Sequence, residues 1–308
     1  MNPEAMTIVS IRHLTRYRYR NRVAFGEHRM MLRPLEAFDQ RLIDYELAIS
    51  PEPAVLHHLH DLTDATVAVA RFDARADELR VESRVRLEHT VHGVLGLATD
   101  AAIDSGGFVY DADEAPALEA SVRLRHPGEA EVWARRFLRP VGRTSLATLL
   151  CDMTHAIRSA FIYEIRPIGP PQTPAVTLER GRGSCRDLAF LMMEAARSLG
   201  LAARFVSGYV YSGSPKAAAA SHGHTHAWVR VYLPGCGWTD FDPTNGIVGN
   251  AGLVRVASAT DARMAAPLHG AWRGMASDFL GMDVEIEIAT EADRATQPPA
   301  RLRVAGVG

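Results

Sequence analysis

The chain has 308 residues, 47% of them hydrophobic and 23% charged, with a formal net charge of −2. This balance belongs to a globular protein with room for one large domain or two ordinary ones, and it gives no electrostatic reason to expect a nucleic acid or an anionic membrane as partner. Three cysteines are too few, and odd in number, for a disulfide framework. With no apolar run of about 20 residues and no signal-like start, the chain reads as cytoplasmic.

The first third is strand-like. The segments 7–20, 41–51, 65–74 and 78–91 alternate apolar and polar residues with period two and are punctuated by Pro, Asp and Gly. They predict a small antiparallel β-sandwich, and residues 1–95 are assigned to a β-rich N-terminal domain. The basic run Arg12–Arg22 mixes Arg with aromatics, but its period-two spacing in a chain without a basic domain reads as a solvated strand face. Residues 96–125 lack clean periodicity and are read as a connecting segment.

Two helices follow, one opening near Pro127 and one capped by Ser145 and running to Phe161. Cys151 lies in the second and reads as a buried small hydrophobe. A proline-rich loop, 166–174, leads to the glycine turn Gly181-Arg182-Gly183 and a helix beginning around Cys185. In that helix Leu188, Leu191, Met192, Ala195 and Leu199 recur at i, i+3, i+4, i+7 spacing, and Gly200 supplies the stop. Strands over 203–211, 226–233 and 237–242 come next, and a last strand pattern ends near residue 290. The order predicts an α+β core over 126–308, a Cys-bearing helix packed on an antiparallel sheet, preceded by the sandwich-like domain.

Chemistry concentrates on Cys185, His226 and Asp242. At the first turn of a helix a thiol meets the positive end of the dipole and unpaired N–H groups, which favour the thiolate and can receive an oxyanion. A helix-start cysteine can equally be structural, as buried free Cys is common. Cys236 lies in a Pro-Gly-Cys-Gly turn without such surroundings. His226 would take the thiol proton and pass it to a leaving group. Alone it would be an ordinary polar strand residue. Strand alternation puts Ala227, Val229, Val231 and Leu233 on one face and His226 with Trp228 on the other, where the cysteine helix is expected. Asp242 would orient the imidazole. Asp240 shares its strand face and is the rival, and Asp242 is preferred because Pro243 ends the strand there. Asp in such a turn is otherwise a common turn former. The spacing His222-Gly-His224-Thr-His226 could hold a metal but lacks companion Cys, Asp or Glu, so neither metal nor cofactor is expected.

The segments 183–211, 225–246 and 11–34 resemble the bacterial transglutaminase-like proteins, which carry a distinctive β-rich N-terminal region before a papain-like core. The resemblance implies Cys185 as nucleophile, His226 as base and Asp242 as orienter, acting on a peptide or protein amide. It departs from the family at Asp187-Leu188-Ala189-Phe190, where D-F-A-H is frequent. It departs again at Leu253-Val254 and Ala259-Thr260-Asp261, where a His-Ile pair and G-R-D are frequent. Many bacterial members of the family are thought to hydrolyse amides. Hydrolysis is therefore the expected reaction, with transfer to an amine or a catalytically silent peptide-binding module as alternatives. Trp228 and Trp238 are candidates to wall an amine tunnel, and the small-residue loop 212–225 is expected to admit water.

Overall fold

Apolar and polar residues alternate almost unbroken at the start of the chain, and the computed structural model makes Ala5–Met30 a single strand of 26 residues. It describes residues 5–63, 65–91, 100–166, 169–211 and 225–291. The first half of the long strand lies between Arg75–Val91 and Phe279–Thr290, antiparallel to both. Its register breaks after Arg18, and the second half pairs with Thr66–Arg71 and Leu268–Arg273. Gln40–Ser50 and Val55–His60 complete the seven-stranded sheet. Tyr19, Val23, Phe25, Ala70, Leu79 and Val81 form a separate small core, and all seven strands belong to one continuous sheet.

The strands Leu268–Arg273 and Phe279–Thr290, placed by the sequence with the 126–308 unit, pair in this first sheet. Charge complementarity explains part of it. Arg12 pairs with Glu287 at 3.0 Å, Arg16 with Glu285 at 2.8 Å and Arg18 with Asp283 at 2.7 Å. The basic run of the first strand thus faces the alternating acids of the last, a cross-strand match that favours this pairing over a slip.

The second sheet is antiparallel, in the order Ile247–Val248, Gly237–Asp242, His226–Leu233, Ala203–Val210 and Leu253–Ala259. Helix Cys185–Ser198 packs on it, with Leu146–Ala160 and Glu129–Arg135 alongside. This is the α+β arrangement expected, a cysteine helix on an antiparallel sheet behind a sheet domain. The helix shares its core with Ala227, Val229, Val231 and Leu233, whereas Trp228 belongs to another cluster with Val206 and Leu253. The helix therefore covers the apolar face of the strand, not the face of His226 and Trp228. Burying the stripe of Leu188, Leu191 and Met192 against apolar neighbours outweighs the pull of a single polar pair.

The segment 96–125 holds a helix, Ala115–Val122, and the proline-rich stretch passes into another, Pro174–Arg180. Pro174 occupies the first turn, where its missing N–H costs nothing, and Thr173 caps it. Ser145 stands at the N-cap of its helix but makes no side-chain capping bond. Cys151 is half-buried rather than buried. The two units share one continuous core that includes Val9, Ile11, Leu87, Tyr209 and Val254. Polar contacts cross it as well: Arg255 is buried between Asp39 and Asp240, and His13 Nδ1 lies 2.9 Å from the Tyr209 hydroxyl. No helix among the described residues is long and apolar enough to cross a membrane.

Candidate active site

Gly181 ends helix Pro174–Arg180 in the left-handed region, at φ 60°, and turns the chain toward the cysteine helix. A Cβ on Gly183 would lie 2.7 Å from the Asp187 Cβ, so only glycine permits this approach. Ser184 is the N-cap and Cys185 the first helical residue, 7% exposed. The Asp187 carboxylate accepts from the Ser184 N–H at 2.7 Å and its hydroxyl at 2.8 Å, closing a capping box. It also accepts from the Gln172 N–H at 2.7 Å and from the Arg166 guanidinium. Burial opposes the charged form of Asp187, but these donors hold its carboxyl down at about 2. One buried carboxylate thus ties the 164–173 segment to the helix start. The sequence reading noted Asp187 only as part of a departure from a pattern; the S-x-x-D spacing was the available signal.

His226 opens its strand and is 8% exposed. Its register partner is Gly208, where a Cβ would lie 2.0 Å from the Val254 carbonyl oxygen, so the neighbouring strand passes unusually close. His226 Nε2 lies 2.8 Å from Asp242 Oδ2, and the Cys185 thiol is close enough to act on the ring's titration. With Nε2 engaged by Asp242, Nδ1 is the nitrogen left for sulfur. Burial disfavours the imidazolium, yet the Asp242 charge, the bond to Asp242 and the neighbouring Cys185 raise it from 6.5 to about 10. Asp242 is itself fixed by the Thr244 N–H at 2.9 Å and the Asn245 side-chain amide at 2.7 Å. Burial raises its carboxyl, but His226 and these donors hold it below the usual carboxylate range. The structure therefore brings together Cys185, His226 and Asp242, and leaves Asp240 elsewhere, bound to Trp228 Nε1 at 2.7 Å and to Arg255.

Two contributors were not singled out from sequence. Asn245, in the turn after Pro243, has its side-chain amide 3.3 Å from His226 Nε2 as well as on Asp242. Tyr163 is brought beside the thiol by a short parallel bridge between Ile162–Tyr163 and Arg182–Gly183. Burial and the neighbouring Cys185 push its phenol up to about 12. The tryptophans do not wall the site. Trp228 is fully buried and stacks on His226 at 5.9 Å, while Trp238 packs on Tyr232 and under Arg204. His222 and His224, and with them nearly all of the loop 212–225, lie outside the described residues. Among the described residues no cluster of three or more His, Cys, Asp or Glu could hold a metal.

Cys185 and His226 open on a cavity of about 560 Å³ between the two units. Tyr17, Met282 and Val284 line it from the first sheet, and Phe205, Ser207 and Ala227 from the second. A thiol at a helix N-terminus, an imidazole held charged by a carboxylate, and a cavity at the sulfur are the parts that covalent acyl chemistry requires.

Residues 9–88 match the bacterial transglutaminase-like N-terminal region, and residues 143–243 match the transglutaminase-like superfamily core. An uncharacterized protein of Mycobacterium tuberculosis is 25% identical over 285 residues, covering 84% of this chain and 86% of that protein. An uncharacterized protein of Mycobacterium leprae is 33% identical over 110 residues, covering 35% of this chain, and the chain spans only 39% of that relative's length. Among solved structures, a candidate cysteine protease from Cytophaga hutchinsonii superposes with a TM-score of 0.66 at 17% identity, over 93% of this chain and 91% of that one. That likeness is one of fold.

Proposed function

The chain is a transglutaminase-like superfamily protein with the bacterial transglutaminase-like N-terminal region, and from that premise we propose that it hydrolyses amide bonds through an acyl-thioester on Cys185. The observation that carries the reading is the thiol–imidazole–carboxylate chain, in which His226 bonds Asp242 and lies beside Cys185, and the sulfur opens on the cavity.

In this mechanism the proton on His226 Nδ1 is the one given up by Cys185, and the thiolate attacks the amide carbonyl carbon. The carbonyl π electrons move to oxygen, where the N–H groups of the first helical turn, Cys185's own among them, receive the oxyanion. Collapse breaks the C–N bond as His226 protonates the departing amine, leaving the thioester. A water then gives its proton to His226, its oxygen attacks the thioester carbonyl, and sulfur leaves and is reprotonated as the carboxylic acid departs. Asp242 keeps Nε2 protonated throughout and stabilises the imidazolium.

Efficient transfer to an amine needs water excluded from the thioester. Trp228 and Trp238 lie away from the cavity wall, which favours water as acceptor. The test is to supply a glutamine-containing peptide with an excess of labelled primary amine and compare ammonia released with amine incorporated. Ammonia well above incorporation, lost in Cys185→Ala, is expected. Incorporation equal to ammonia would make the protein a transglutaminase in the strict sense. No covalent adduct with any electrophilic peptide probe would leave a silent peptide-binding module.

A further inference from the structure

The cavity at Cys185 has two unlike walls. Tyr17, Phe279, Met282 and Val284 come from the first sheet and, with Leu268 and Phe205, make one side largely apolar. The other side carries Arg166, Arg186 and Arg263, and among the described residues no Asp or Glu lines the cavity. Arg166 is bound to Asp187, and Arg263 to Asp261 at 2.7 Å. Arg186 differs. Its Nη groups donate to the carbonyls of Gly169 (2.9 Å) and Arg166, and among the described residues it has no carboxylate partner. A guanidinium has five N–H donors, so three remain to be used.

Two further groups describe what the cavity receives. Ser207 is 4% exposed and its hydroxyl has no hydrogen-bond partner among the described residues, yet the residue lines the cavity. A buried hydroxyl left this way costs free energy unless a ligand or water meets it. His13 also lines the cavity but is taken up by Tyr209 and Thr15, and burial pushes it down to about 4, so it is neutral at ordinary pH. Among the described residues the lasting charge in the cavity, apart from the His226–Asp242 pair, is that of the arginines, with Arg186 the one not already neutralised by an acid.

Resting on the amidase reading above, we propose that the acyl donor is a short anionic peptide-like amide, with an apolar side chain against the wall from the first sheet and a carboxylate on Arg186. Arg186 directly follows Cys185, so the carboxylate it holds lies close to the bond under attack, on the residue before the one that bears that bond. A cavity of about 560 Å³ lies within the range of small-molecule sites and holds a few residues rather than a long chain. The first sheet thereby acts as a specificity wall. Planar guanidinium favours a carboxylate over a neutral amide of the same shape.

The test uses fluorogenic coumarin amides of acetyl-Glu-Phe and acetyl-Gln-Phe, with Ala-for-Phe versions of each, on the full chain. Wild type should favour Glu over Gln by at least tenfold in kcat/KM and Phe over Ala, with the charge preference shrinking as salt rises. Arg186→Gln should bring the Glu/Gln ratio near one, and Arg186→Lys, which keeps the charge but cannot span both carbonyls, should retain most of it. A wild-type ratio near one overturns the proposal. So does a fall in both rates alike in Arg186→Gln that Lys does not reverse, because Arg186 would then be a clamp on its neighbouring loop. If no coumarin is released at all, the amidase reading fails. The proposal is then decided separately by fluorescence anisotropy, since Cys185→Ala must still bind a labelled Glu-Phe peptide at least tenfold more tightly than its Gln-Phe twin.

Discussion

Replacing Asp242 with Asn isolates what the carboxylate does, because the shape is retained and the charge removed. His226 and His13 are both almost fully buried, at 8% and 2% exposure. His13, with only hydroxyl partners, is pushed down to about 4, whereas His226, beside Asp242 and Cys185, rises to about 10. A rise from 6.5 to about 10 is worth roughly 5 kcal/mol, at about 1.4 kcal/mol for each tenfold change. In Asp242→Asn burial acts with only the Cys185 contact against it, so the ring should titrate below 6.5. Ring-nitrogen NMR of protein labelled with [15N]histidine reads this directly. At pH 8 the wild-type ring should be charged and the Asp242→Asn ring neutral. Stability follows the same ion pair. Because the folded His226 value is raised, its contribution is complete below 6.5 and fades as pH climbs through about 10; because the folded Asp242 value is lowered, its contribution is complete above 3.8 and is lost as pH falls. The stability lost in Asp242→Asn should therefore be largest between pH 3.8 and 6.5. An Asp242→Asn ring that still titrates near 10 would refute the account, as would a wild-type ring already neutral at pH 8.

Iodoacetamide followed by peptide mass spectrometry should label Cys185 ahead of Cys151 and Cys236, although Cys185 is the most buried of the three; equal rates would remove the case for an activated thiol. Asp187→Ala strands the Arg166 charge and the donors of Gln172 and Ser184, and urea unfolding should register a loss of about 3 kcal/mol. A loss under 1 kcal/mol would mean that the capping hub contributes little. Truncation after Pro267 removes Leu268–Arg273 and Phe279–Thr290, baring both halves of the long first strand along one edge. The product should aggregate on size-exclusion chromatography, whereas a monomeric, cooperatively folding product would show that these strands are dispensable.

Much of the site was legible because its parts are local. The helix at Cys185 follows from a glycine turn, an apolar stripe and the Gly200 stop, all within twenty residues. The choice of Asp242 over Asp240 followed from the proline that ends the strand, and the structure puts Asp242 on His226 at 2.8 Å and Asp240 on Trp228. Alternation alone, by contrast, put the cysteine helix on the face of His226 and Trp228. It could not weigh that polar pair against Ala227, Val229, Val231 and Leu233, whose burial decides where the helix lies.

What the sequence determined by itself are the periods, the caps and the order of thiol, imidazole and carboxylate, since each is set by neighbours a few residues away. The tertiary structure alone decided the long-range partners: the last strand beside the first, Tyr163 beside Cys185, and the wall that Tyr17 and Met282 present to the cavity. Strand pairing across some 270 residues depends on which complementary edge is free once the chain has collapsed. Arg12 meeting Glu287 is a consequence of that encounter, and no local pattern in either segment names the other.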